Sequence, residues 1–184
     1  TGVCTISSRG ILAFVTAGTC TINVNQAGDS QYLPAPQVSR SFTVSPIVPD
    51  APTIGAAVAG DTQASVAFTA PINTGGSAIT GYTVTVSPPD VAPVSGASSP
   101  IVVNGLTNGQ AYTFTVPADN VAGTGPASGA SNSVTPAATQ TITFVNPGPQ
   151  AFGTTPTFTA TSDSGLTPTF TSSTTGVCTI TSGG

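Results

Sequence analysis

Over the first 45 residues apolar and polar side chains alternate in short runs, each closed by a turn signal. Val3 to Ser7 reads as a strand and Ser8-Arg9-Gly10 as a turn, then Ile11 to Val15 as a strand and Thr16-Ala17-Gly18 as a turn. In Thr19 to Asn25 the period is two, with Cys20, Ile22 and Val24 on one face and Thr19, Thr21 and Asn23 on the other. The same phase joins Cys4 to Ile6. A loop over 26–37 carries Tyr32, Pro34 and Pro36, and a last strand over Val38 to Ser45 has Val38, Phe42 and Val44 as its apolar members. The alternation returns after residue 50, in Ala64, Val66 and Phe68, in Tyr82-Thr83-Val84 and in Tyr112, Phe114 and Val116, and Ser128 to Val134 reads as a final strand by its position after a Gly-rich loop. Over residues 51–136, short strands with turn signals at regular spacing predict a β-sandwich, with Phe68, Tyr82, Leu106, Tyr112 and Phe114 in its core. Pro117 has no N–H to donate, so the ladder should end or bulge there.

The chain's two ends are nearly the same text. Thr1 to Gly10 reads TGVCTISSRG and Thr175 to Gly184 reads TGVCTITSGG, differing only at Ser7/Thr181 and Arg9/Gly183. Self-similarity of this kind marks a repeat architecture. The expectation is a chain that starts inside one repeat unit and stops inside the next.

These residues carry a resemblance. VCTIS, AGTCTINVNQAGDSQYLPAPQ and SFTV resemble the C-terminal half of a bacterial Ig-like repeat, with a cysteine in each of VCTI and AGTCTI. QTITFVNPGPQAFGTTPTFTATSDSGLTPTFTSSTTGVCTI, residues 140–180, resembles the front half of the same unit. The middle resembles a fibronectin type III domain. PINTGGSAITGYTVTVS, with Pro71, Gly75-Gly76 and Tyr82-Thr83-Val84, is similar to its B–C turn and strand C. Asn104 to Gly109 is similar to the turn before strand F, Tyr112 to the tyrosine-corner position, and Asn120 to Gly125 to a Gly-rich F–G loop. Phe68 stands where that family more often has Trp. The resemblance implies residues 1–45 as the back half of one Ig-like repeat, 46–50 (PIVPD) as a linker, 51–136 as a complete fibronectin type III sandwich, and 137–184 as the front half of the next repeat. The fold class is all-β: Ig-like sandwiches in tandem, one complete and two partial.

Charge changes the picture most. Only 4% of residues are charged, Arg9 and Arg40 being the only cations and six Asp the only anions, with no Lys, Glu, His, Met or Trp. The usual general bases are therefore missing, and the chain reads as a non-enzyme without cofactors. A net charge of −4 with two Arg lacks the basic footprint of a nucleic-acid binder. The apolar run Ile11 to Val15 is five residues, far short of a membrane span. Ser, Thr, Asn and Gln must supply the wetted surface, as on exported chains.

Cys4 and Cys20 sit on core-facing strand positions and suit a disulfide, whose loop of about 15 residues stabilises by roughly 3 kcal/mol in the chain-entropy model. Two free buried thiols are the alternative, and the exported-looking composition favours the disulfide. Cys178 is the equivalent of Cys4, so its partner is expected beyond Gly184. With no His and no CxxC there is no zinc pattern. Asp50 and Asp119 could flank an inter-domain calcium ion, yet no Asp has calcium-loop spacing, and solvated turn carboxylates are the plainer reading. The F–G loop holds no RGD, and the absence of Lys closes an isopeptide crosslink.

The expected function is structural: a stalk, fibre or filament segment of an extracellular, bacterial cell-surface, adhesin-like protein. Its partners would be adjacent repeats, joined covalently or head-to-tail, with no nucleic acid and no membrane insertion. A glycan- or protein-binding adhesion module, and a spacer in a secreted polysaccharide-degrading enzyme, are the alternatives.

Overall fold

The computed structural model describes residues 2–180; Thr1 and the end of the second decapeptide, residues 181–184, lie outside the described residues. The chain is all-β and divides into two compact units, one running through Ala137 and one starting at Ala138.

The first unit opens with two hairpins. β1 (Cys4–Ile6) pairs with β2 (Leu12–Phe14), and β3 (Gly18–Gln26) with β4 (Ala35–Val44), all antiparallel. Cys4 and Cys20 are disulfide-bonded, tying the first hairpin to the second. β4 starts earlier than the predicted Val38, because a bulge between Val24 and Gln26 lets the ladder pass the N–H-less Pro36 on this edge strand. The apolar face predicted for these strands forms as a face but is not covered. Cys20 is buried, whereas Phe14, Val24, Val38 and Phe42 stay 41–63% exposed. The rings of Phe14 and Phe42 meet edge to face at 6.1 Å.

The sandwich that follows is closed. One sheet runs β5 (Thr53–Ala59), β6 (Gln63–Thr69), β9 (Ile101–Asn104); the other is built on β7 (Gly81–Ser87), flanked by β8 (Val94–Gly96) on one side and β10 (Thr113–Thr115) with β11 (Ala118–Asn120) and β12 (Gly123–Thr124) on the other. Alternate residues of each strand fill the space between: Ala64, Val66 and Phe68; Tyr82, Val84 and Val86; Ile101 and Val103; Tyr112, Phe114, Val116 and Ala118, capped by Leu106. All five predicted core residues are buried. Phe68 lies 4.7 Å from Tyr82, ring centre to ring centre.

Two departures have local causes. β10 and β11 keep one register against β7, Thr115 facing Thr85 and Ala118 facing Tyr82. They are one strand whose ladder lapses at Val116–Pro117 and resumes, with no residue inserted, because Pro117 can accept but not donate. The predicted strand over Ser128 to Val134 is not a regular strand. Ser128, Ser131 and Val134 donate their N–H groups to the carbonyls of Val116, Phe114 and Tyr112. Ser128 Oγ and Ser131 Oγ in turn accept from Val116 N–H and Phe114 N–H at 3.0 and 3.1 Å. Three residues here span two of the neighbouring strand, about 6.8 Å, and serine hydroxyls replace the carbonyls that the contraction turns away. Asn132 then bonds both N–H and C=O of Ala57, beside the bulge of β5, and closes the sandwich edge.

The second unit pairs β13 (Ile142–Phe144) with β14 (Ala160–Ser162). Thr141 N–H and hydroxyl both donate to the Asp163 carboxylate, which holds that carboxyl below its usual range. The motif Thr-Pro-Thr-Phe-Thr occurs twice, at 155–159 and 167–171. Both of its phenylalanines, Phe158 and Phe170, meet Phe144 edge to face at about 6 Å. No described residue of this unit is buried.

Phe68→Ala should cost the sandwich about 3–5 kcal/mol in denaturant unfolding, the range for a buried aromatic. A loss below about 1 kcal/mol, as at a surface site, would contradict the packing described.

Candidate functional site

The chemistry-bearing residues do not converge. Among the described residues no three His, Cys, Asp or Glu side chains gather where they could hold a metal ion. Asp119 accepts the Thr124 hydroxyl within its own hairpin, and Asp50 uses its backbone N–H, bonded to Asn73 C=O at 3.0 Å. Cys178 is exposed and free. Tyr112 is buried, its hydroxyl donating to the Asp90 carboxylate and accepting from Thr107 N–H at 3.0 Å, so it locks the turn ahead of its strand.

What does converge is the joint where the opening hairpins meet the sandwich. Residues 46–50, expected as a linker, lie docked against the loops 71–77 and 120–125. Ile47 N–H donates to Gly75 C=O at 2.9 Å, and Ala17 N–H, at the root of β3, donates to Gly76 C=O at 2.7 Å. Pro49 is fully buried, while Ile47 and Val48 turn their side chains outward.

Asn120 is the centre of this joint. It is buried, on the last position of β11, and its Nδ2 donates to both Ile47 C=O and Thr74 C=O at 2.8 Å. Its Oδ1 accepts from Ala122 N–H at 2.8 Å. One primary amide therefore satisfies the linker, one loop and its own turn, using both donors and an acceptor. A buried amide left unpaired would cost on the order of 1–3 kcal/mol, so the three partners define its position.

Glycine makes the approach possible. A Cβ on Gly75 would lie 1.9 Å from Ile47 O and one on Gly125 2.2 Å from Pro49 O, so the linker backbone occupies volume that any other residue would fill. Gly75 and Gly76 also have φ near +75°, where only glycine is unstrained. The Gly-Gly pair and the Gly-rich loop are legible as turns; that they form one seat for Pro-Ile-Val-Pro is not. Asn120 reads in sequence only as the start of a loop. A buried position in phase with Tyr112, Phe114, Val116 and Ala118, yet filled by an amide, was the available signal.

Residues 50–134 match the family model of the fibronectin type III domain. The closed sandwich is a fibronectin type III domain. The extracellular region of rat CD45, domains d3–d4, is similar at a TM-score of 0.51 and 17% identity, over 71% of this chain and 70% of that one. Titin domains A168–A170 give 0.48 and 19%, over 74% of this chain and 50% of that one. Titin kinase with its flanking domains gives 0.43 and 24%, over 49% of this chain and only 17% of that one. At 17% identity the likeness to the CD45 domains is one of fold. No curated protein matches the chain. Fibronectin type III and Ig-like domains are common structural or adhesion modules, and with an intramolecular disulfide they are typical of extracellular proteins.

Asn120→Asp keeps the shape and the Ala122 bond but replaces both donors by a carboxylate facing two carbonyls. It should lower stability by about 1–3 kcal/mol in denaturant unfolding, and Gly75→Ala should lower it as well. A change within about 0.5 kcal/mol for Asn120→Asp, the level of a surface substitution, would contradict the role given to the amide.

Proposed function

We propose that this chain is a length-setting segment of a long, extracellular, tandem-repeat bacterial surface protein, a stalk or fibre body without catalysis. The observation that carries the reading is the decapeptide repeated at Thr1 and Thr175. A unit that recurs along one chain and contacts mainly its neighbours adds length without redesign. The docked joint supports it, because a stalk needs successive modules held at a set angle. The sparsely charged, Ser/Thr-rich composition supports it too, offering a solvated coat with little attraction for other macromolecules.

The partners are adjacent repeats of the same protein. Residues 1–44 keep an open apolar face with Phe14, Val24, Val38 and Phe42, and residues from 138 on expose Ile142, Phe144, Phe152 and Leu166. Among the described residues Cys20 alone is buried in the first part and none in the second, so each is read as half of one Ig-like sandwich that the neighbouring repeat completes, covalently or head-to-tail. Uncovered strands and faces of this kind are templates for pairing.

Small-angle scattering on a protein carrying two of these periods tests the reading. An extended array should give a radius of gyration well above about 20 Å, the value for one compact globule of roughly 360 residues. A value near 20 Å would overturn it.

A further inference from the structure

Two Asn-Gly dipeptides lie close together between β9 and β10, in Val103-Asn104-Gly105-Leu106 and in Thr107-Asn108-Gly109-Gln110. Asparagine is a thermolabile residue, and it is most labile ahead of glycine. With no Cβ on the second residue, that residue's backbone nitrogen can close on the asparagine side-chain carbonyl carbon. The reaction needs a carboxamide free to turn and a glycine N–H that is not engaged elsewhere.

The fold treats the two dipeptides differently. Asn108 is held at both ends of its amide: Oδ1 accepts from Thr62 N–H at 2.9 Å and Nδ2 donates to Asp61 Oδ1 at 2.7 Å. Gly109 N–H donates to Pro136 C=O at 2.8 Å. Both reacting groups are therefore pinned. Asn104 is the last residue of β9 and is exposed. Gly105 leaves the ladder at φ +81°, and a Cβ there would meet only Val91 Cγ1, at 3.4 Å. Among the described residues no protein group hydrogen-bonds the Asn104 carboxamide or the Gly105 N–H.

We infer that Asn104 is a site of spontaneous conversion to aspartate and isoaspartate, and that Asn108 is spared by its bonds. Gly105 N attacks Asn104 Cγ, the N–Cγ bond forms as the Cγ–Nδ2 bond breaks, and ammonia leaves with the proton of the Gly105 amide. Water then opens the five-membered succinimide ring. Attack at Cγ gives aspartate, and attack at the main-chain carbonyl carbon gives isoaspartate. One water enters and one ammonia leaves. The dipeptide lies inside the closed sandwich, so the site does not depend on how the domain is embedded in an array.

Each conversion has two consequences. It adds a carboxylate, taking the net charge from −4 to −5 in a chain with few charges to begin with. Isoaspartate also routes the main chain through the side chain, one methylene longer, between Val103 and Leu106. Both of these are buried, so one of them must shift from its seat. The fibronectin type III domain thus ages into a more acidic and less stable form.

The test stores the full chain in mildly alkaline buffer and follows it by ion-exchange chromatography and by mass spectrometry after acid digestion, a cut after Leu106 separating the two dipeptides. Asn104 should convert within about tenfold of the rate of the free peptide Val-Asn-Gly-Leu, and Asn108 on the order of a hundredfold more slowly than Asn104, since three hydrogen bonds must open first. In denaturant the two should convert at similar rates. Asn104→Gln, at an exposed position, should remove the new acidic species. The assignment would be overturned if Asn108 kept pace with Asn104 in the folded chain, if Asn104 stayed intact while the free peptide converted, or if Asn104→Gln formed the acidic species at an unchanged rate. The isolated isoaspartyl form should unfold at a lower denaturant concentration than the fresh chain, and an equal midpoint would overturn the loosening.

Discussion

The joint between the opening hairpins and the fibronectin type III sandwich depends on one buried amide. Asn120 sits where the inward-facing series Tyr112, Phe114, Val116, Ala118 reaches the end of its strand, so its position is set by the core rather than by the loop. From there it holds the carbonyls of Ile47 and Thr74 together. The core's geometry is thus passed to residues 46–50, and through Ala17 and Gly76 to β3. A Gly-free version of the loops could not accept that backbone, because the space the linker fills is the space of absent Cβ atoms.

The same economy runs through a chain that has almost no charge. With two cations available, joints and edges are closed by neutral groups: an amide at Asn120, another at Asn132, and serine hydroxyls at 128 and 131 standing in for carbonyls. Such bonds between neutral groups are insensitive to salt, unlike exposed ion pairs. For a segment proposed to work outside the cell, that keeps the geometry the same across ionic conditions. The disulfide does for the small opening hairpins what burial does for the sandwich, restricting the alternatives of a part in which, among the described residues, only Cys20 is fully inside.

Much of the sandwich was legible because period-two alternation states directly which residues face inward, and Phe68, Tyr82, Tyr112 and Phe114 all lie there, with Leu106 buried from the turn after β9. The edge beyond Phe114 was not. Ser-Gly-Ala-Ser-Asn-Ser-Val reads as a strand by its position after a Gly-rich loop, but the three-to-two match with its neighbour depends on side-chain hydroxyls that no periodicity reports. In the opening hairpins the pattern identified a face correctly and could not say whether anything covers it, since coverage depends on residues elsewhere. The joint was hidden for a third reason. Pro-Ile-Val-Pro carries the composition of a linker, and only the loops around it show that its backbone is bonded on both sides.

Residual dipolar couplings of the backbone amides test the central claim most directly, that residues 46–50 fix the hairpins to the sandwich. In a weakly aligned sample, β3 and β4 should fit the same alignment tensor, in magnitude and orientation, as β5 to β11. Two tensors of different magnitude, the signature of parts reorienting about a free linker, would contradict it.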